Sequence, residues 1–161
     1  MRAMATCRYP PRRLPRGVAA VELALLSTLL VAFVLGVSQF GQAMFQYDTL
    51  VKSARVGARY LSQYPAGDAT AISNAKCLVV YGRISPCSGT PQVPNFSTSM
   101  VTVSDAFAPG GTSYKDVATT QGKVNLVELR VVGLSFQIST PFLTASYPFG
   151  AIKATMTQGS L

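Results

Sequence analysis

One carboxylate, Glu22, stands inside an apolar run that extends from Val18 to Val37. A charged acid in hydrocarbon costs roughly 2.5–3.5 kcal/mol on insertion scales, and it is tolerated there when a partner satisfies it. Just before the run comes Arg16-Gly17-Val18, a basic residue and then a small one where polar sequence gives way to apolar. A small residue on the polar side of such a segment suits a protease that works at the membrane face and leaves the segment on its product. Two expectations follow: Gly17 and Val18 form a processing site, and Glu22 is a residue of assembly. The competing reading of Glu22 is a carboxylate near the headgroups that snorkels to water or is protonated. Only ~7.5 Å of helix separates it from the cleavage point at the standard rise, so its depth decides between the two.

No other residues assemble into a reactive set. The chain has no His, which removes the commonest general base and metal ligand. Gly110-Gly111 is not followed by Lys-Ser/Thr and opens no helix, so no phosphate-binding loop is expected. Asp68, Asp105, Asp116 and Glu128 fall singly in loop or strand contexts and read as solvated charges. The expectation is therefore no enzyme, no cofactor and no metal. Of the three cysteines, Cys7 lies in the leader, while Cys77 and Cys87 bracket a short loop containing Gly, Pro and Ser. Outside the cytoplasm such a pair is a candidate disulfide; in a reducing compartment it is two free thiols.

The charge is concentrated at one end. The net charge is +8, but five of the fourteen basic residues (Arg2, Arg8, Arg12, Arg13, Arg16) precede Gly17. The remainder carries nine basic and six acidic residues without clusters. A nucleic-acid footprint is a patch on the folded domain, so no nucleic-acid partner is expected. Charged residues make up 12% and apolar residues 48%, which suits a membrane-anchored chain rather than a free soluble domain.

These residues must be held by a long helix. Val18–Val37 provides 20 residues interrupted only by Glu22, Ser27 and Thr28, enough to span a bilayer. The arginine-rich leader places its N-terminal side in the cytoplasm and the rest outside. An ordinary signal peptide fits less well. The apolar run exceeds the usual 7–15 residues, and the nearest small-residue site behind it is Gly41-Gln42-Ala43. Past Val37 the pattern becomes one-sided: Phe40, Ala43, Tyr47, Leu50, Ala54, Gly57 and Leu61 recur at spacings of three and four. Gln39, Gln42, Gln46, Thr49, Ser53 and Arg59 fall on other faces. No Pro occurs between Gly17 and Pro65, so one helix is expected over residues 18–64, roughly 70 Å long. Gly36 and Gly41 mark where it bends most easily. Arg55 and Arg59, spaced i, i+4, read as a solvated face or as contacts to anionic headgroups or a partner.

Pro65-Ala66-Gly67-Asp68 ends the helix, and Ala69–Tyr81 reads as a second, short one. A loop follows to Pro94. Met100–Ser104 reads as a strand, Pro109–Ser113 as a loop, and Val124–Ile138 as one long strand with a bulge or bend at Gly133. Pro141–Pro148 reads as a connection and Ala151–Gln158 as a last strand. Three strands with one apolar face can pack on the amphipathic half of the long helix. The fold class is α+β: a long N-terminal helix, half transmembrane and half amphipathic, with a small C-terminal antiparallel β-sheet head.

The segment Arg16-Gly17 with Glu22, then Gly36-Val37-Ser38-Gln39-Phe40-Gly41, Tyr47, Leu50 and Ala54-Arg55-Val56-Gly57-Ala58-Arg59-Tyr60, resembles the TadE-like family. Those proteins are minor pilins, or pseudopilins, of the tight-adherence (Flp-type) pilus machinery of bacteria. Leu23 stands where that family usually has an aromatic residue, and Gln39 where an acidic one is common. The resemblance implies a chain in three parts: a basic cytoplasmic leader at 1–17 removed by a prepilin peptidase, a helix at 18–64, and a periplasmic head at 65–161. It implies that Glu22, fifth residue of the processed chain, meets the free N-terminal amine of a neighbouring subunit. It implies as partners the peptidase, other pilins and minor pilins, inner-membrane platform proteins and the lipid bilayer. The alternative is an uncleaved, signal-anchored periplasmic binding or secretion-associated protein.

Overall fold

A computed structural model of the chain describes residues 16–107, 114–120, 122–140 and 143–158. The leader up to Pro15, the expected loop at 109–113 and the Pro141-Phe142 pair lie outside the described residues. The architecture is α+β. Helix α1 is Arg16–Leu61, α2 is Ala69–Tyr81, and the strands are β1 Val101–Ser104, β2 Val117–Thr119, β3 Gly122–Val131, β4 Ser135–Thr140, β5 Leu143–Pro148 and β6 Ile152–Gln158. A 3₁₀ turn at Thr98–Met100 leads into β1. The chain forms two compact units, residues 1–38 and 39–161, and α1 contributes to both.

The described part of the first unit is helix alone. Its large apolar side chains are exposed, among them Leu29 at 72% and Phe33 at 73%. Its hydroxyls are satisfied within the helix. Ser27, Thr28 and Ser38 donate to the carbonyls of Ala24, Leu25 and Val34 at 2.9, 2.8 and 2.8 Å. Such back-bonding leaves no hydroxyl donor that water must satisfy.

The second unit has the core. Leu50, Ala54, Ala58 and Leu61 of α1 meet Ala71, Ala75, Val79 and Val80 of α2, and the sheet supplies Val101, Val127, Leu129, Val131 and Ile152. The α1 stripe is therefore buried only from Leu50 onward. Phe40, the first residue of the expected stripe, is exposed, and Ser53, expected on another face, is buried, its hydroxyl bonded to the Leu50 carbonyl. Helix α1 ends at Leu61, three residues before the expected limit, because Gln63 and Tyr64 bond to carbonyls only three residues back. Helix α2 matches its expected bounds. Asp68 caps it, accepting from the Thr70 and Ala71 amides at 2.8 and 3.1 Å, and Gly82 closes it in the left-handed conformation, φ 71°.

The sheet centres on β3. All pairings are antiparallel: β3 with β6 over Asn125–Val131, with β1 over Glu128–Val131, and with β2 over Gly122–Val124. Val127, Leu129 and Val131 turn inward by strand alternation. The expected single strand over 124–138 does not form. It breaks after Val131, with Gly133 at φ +78°, and resumes as β4 in a separate two-stranded hairpin with β5. The segment expected to be a mere connection, 141–148, supplies β5. Two polar residues fasten the far end. Asp105, expected to be solvated, is 2% exposed, because its carboxylate accepts from the amides of Gly67 and Phe107, both at 2.9 Å. Gln158 donates to the Leu61 and Tyr64 carbonyls at 3.4 and 2.8 Å, covering acceptors that the end of α1 leaves open.

Gly57 marks the tightest approach. A Cβ there would collide with a Val79 methyl and sit 2.7 Å from the Leu129 Cδ1. Both neighbours are fully buried, so neither can swing into solvent. Gly57→Ala is expected to lower unfolding stability by about 1–3 kcal/mol, overpacking outweighing the gain in helix propensity; denaturant unfolding of the purified protein measures it, and an unchanged or raised midpoint would contradict the crowding.

Candidate functional site

The residues singled out at the N-terminal junction lie on α1. Gly17 has open space around its Cα, with nothing within 4 Å of a notional Cβ. Val18 is 54% exposed, and Glu22 is exposed. The two stand i, i+4, one turn apart on the same helix face. Among the described residues Glu22 makes no ion pair; the single pair is Lys52 with Asp48 at 2.6 Å. Within this unit the site is a lone carboxylate in an exposed apolar surface.

In the second unit, charge sits on the helices and on the outer face of the sheet. Arg55 and Arg59 are exposed, and so are Lys52 and Val56, while Ser53, Ala54, Gly57 and Ala58 between them are buried. Burial raises the Tyr114 pKa, the nearby Glu128 on β3 adds to the rise, and Arg130 opposes it. A groove of about 290 Å³ is lined by Thr49, Lys52, Ser53 and Val56 of α1 with Leu78, Gly82 and Gln92. Lys52 is its one charged residue, so it offers no acid–base pair. Among the described residues no three potential metal ligands cluster.

Cys77 and Cys87 are joined as a disulfide, Cα to Cα 5.2 Å, across a sequence separation of 10. Cys77 is buried on α2, whereas Cys87 lies in the exposed segment between α2 and Val93. The link ties that segment to the helix, and the Gln92 amide donates to the Val80 carbonyl at 2.9 Å where it returns. The Asp105–Gly67 bond, the Gln158 bonds to the end of α1 and the Tyr47–Phe149 contact had no counterpart in the sequence-based reading. Each joins residues far apart along the chain, and no local pattern marks them.

Taken together, the geometry defines a class: a chain whose N-terminal helix is long and apolar enough to cross a membrane and whose later half carries an α+β head. Residues 17–59 match the model of the TadE-like protein family, the family indicated by the sequence motifs. The match begins at Gly17, covers the apolar run and most of the amphipathic part of α1, and ends before α2. The apolar helix fits a membrane anchor. No curated protein and no solved structure matches the chain.

The disulfide generates an expectation of its own. Closing so short a loop restricts the unfolded chain by about 2–3 kcal/mol. Replacing Cys77 and Cys87 together with Ser is expected to lower stability by that amount while leaving the fold intact, measured by denaturant unfolding with and without reductant. If reductant leaves the unreplaced protein's midpoint unmoved, the thiols are not paired in it.

Proposed function

We propose that this chain is a minor pilin-like structural protein of a Flp/Tad-type adhesion pilus. It is inserted in the bacterial inner membrane with its N-terminus in the cytoplasm and its head in the periplasm. A prepilin peptidase cuts between Gly17 and Val18. The observation that carries this reading is the family match, which opens at Gly17 where the basic leader gives way to the apolar helix. The mature chain then consists of a helix from Val18 to Leu61 and, after a short turn, a head over 65–161, the amphipathic half of the helix being built into the head's core.

The role of Glu22 follows from the cleavage. A new α-amine at Val18 lies one helical turn from the carboxylate, at the same membrane depth. Paired with that amine, on its own chain or on a neighbouring subunit, the carboxylate escapes the cost of standing alone in lipid. It also lies near a helix N-terminus, where the backbone dipole favours negative charge. Pairing with a neighbour fixes the axial register of two subunits and gives the residue its part in assembly. Other pilins, minor pilins and the inner-membrane platform are the partners this reading implies, and its role is structural rather than catalytic.

N-terminal sequencing of the mature protein, from cells with and without a prepilin peptidase, tests the reading. A peptidase-dependent start at Val18 is expected. A chain retaining Met1 would instead favour an uncleaved signal anchor, and a cut after Ala43 an ordinary signal peptide. Glu22→Ala is expected to insert and be processed normally but to reduce surface pili by more than about tenfold, since stranding one partner of a buried pair costs several kcal/mol. Pilus counts by electron microscopy read the outcome, and normal piliation would sink the assembly role.

A further inference from the structure

The β4–β5 hairpin is not part of the main sheet; its strands pair only with each other. Its place in the second unit is set by contacts at both ends of the sheet. At one end Gln158, opposite Asn125 in register, bonds to the Leu61 and Tyr64 carbonyls. At the other, past Val131, the Phe149 amide donates to the Leu134 carbonyl at 2.8 Å, and the Phe149 ring lies 6.1 Å from that of Tyr47. The hairpin therefore leaves the sheet beside Tyr47, about 21 Å along α1 from Leu61 at the standard rise. Tyr47 is ten residues past Val37, so chain connectivity keeps Tyr47 within about 35 Å of the apolar run even at full extension.

The composition of the hairpin is unusual. No charged residue occurs from Val131 to Ile152. Phe136 pairs with Tyr147 and Ile138 with Ala145, which makes one face apolar, because directly opposed residues share a face. The other face carries Gln137 bonded to Ser135 and Ser146 at 3.1 and 3.0 Å. On that face Phe136 is buried against Phe149, ring to ring 6.3 Å, Ile138 and Ala145 are half-buried, and Tyr147 is 56% exposed. Arg130 and Lys153 flank the uncharged stretch and stand directly opposite each other on β3 and β6. Both are exposed, and among the described residues neither forms an ion pair. Like charges so placed repel.

We propose that this hairpin is a second membrane contact: its aromatic face enters the headgroup–acyl boundary of an anionic bilayer, with Arg130 and Lys153 at the level of the lipid phosphates. An apolar, aromatic face flanked by cations is the composition that interfacial elements use, and each cation near an anionic leaflet contributes about 1 kcal/mol. A second copy of the chain fits the same face poorly. A symmetric pairing of hairpins would bring four cations together, whereas anionic headgroups relieve the repulsion between the two. The exposed apolar residues at this end of α1, Phe40, Met44 and Phe45, extend the surface toward the same boundary. The proposal rests on the reading of Val18–Val37 as the membrane anchor.

The chain contains no Trp, so a single introduced one reports its own depth. The full chain is reconstituted in vesicles of phosphatidylethanolamine and phosphatidylglycerol carrying brominated acyl chains. Leu29→Trp, in the anchor, is expected to be quenched. Tyr147→Trp is expected to be quenched and blue-shifted, and Phe107→Trp, at the far end of the unit, to stay unquenched. Adding Arg130→Gln and Lys153→Gln to the Tyr147→Trp chain is expected to shift the hairpin's lipid-bound population by on the order of tenfold toward free. An unquenched Tyr147→Trp beside a quenched Leu29→Trp overturns the hairpin contact and leaves the anchor standing. An unquenched Leu29→Trp overturns both. Concentration-dependent crosslinking of hairpins between copies, without lipid quenching, overturns the proposal in favour of self-association.

Discussion

The structure depends on the close approach at Gly57, where α1, α2 and β3 meet. The absence of a side chain lets Val79 and Leu129 come within a distance that any Cβ would forbid. Around that point Leu50, Ala54, Ala58 and Leu61 give the helix a thin, small-residue face, onto which α2 and the sheet can both settle. A core formed this way needs the helix as one of its layers. That is why the compact unit begins at Gln39, inside α1, and not after its last turn. One continuous helical stretch thus has two kinds of surface: apolar all round up to Val37, and one-sided from Leu50 onward.

The parts legible in the sequence are those whose signal is local. The change from all-apolar to spaced apolar residues marked the two halves of α1. The break at Pro65–Asp68 and helical spacing after it marked α2, and alternation marked β3 and β6. The break between β3 and β4 was harder to read, because apolar residues continue through Val132 and Leu134 and only Gly133 interrupts them. Its positive φ redirects the chain, and what reads as one bent strand becomes two strands in different sheets. Strand β5 was hidden by Pro141 and Pro148, which flank it and lower its apparent strand character. Proline at a strand's end removes no ladder bond that an edge needs, so the strand survives.

Asp105 and Gln158 were missed for a different reason. Each is a buried polar residue with a backbone partner distant in sequence, 38 residues away for Asp105 to Gly67 and 97 for Gln158 to Leu61. A carboxylate accepting two amides, or an amide covering two helix-end carbonyls, is stable in a core, yet nothing in the surrounding residues announces it. Both close the same end of the second unit: Asp105 through the turn after α1, Gln158 through the last carbonyls of that helix. The cysteine pair was half legible, since spacing raised the pairing but only the fold brings the α2 thiol and the loop thiol together.

Two long stretches of the chain carry no charge. No charged residue occurs from Leu23 to Tyr47, nor from Val131 to Ile152. The first stretch is helical and the second folds largely as a hairpin, so no common secondary structure explains why both lack charge. What they share is position: the second stretch packs back on the last residue of the first, Phe149 on Tyr47. The opposite end of the second unit carries Asp68, Asp105 and Lys115. The match over residues 17–59 covers the helix side of this arrangement and none of the sheet side.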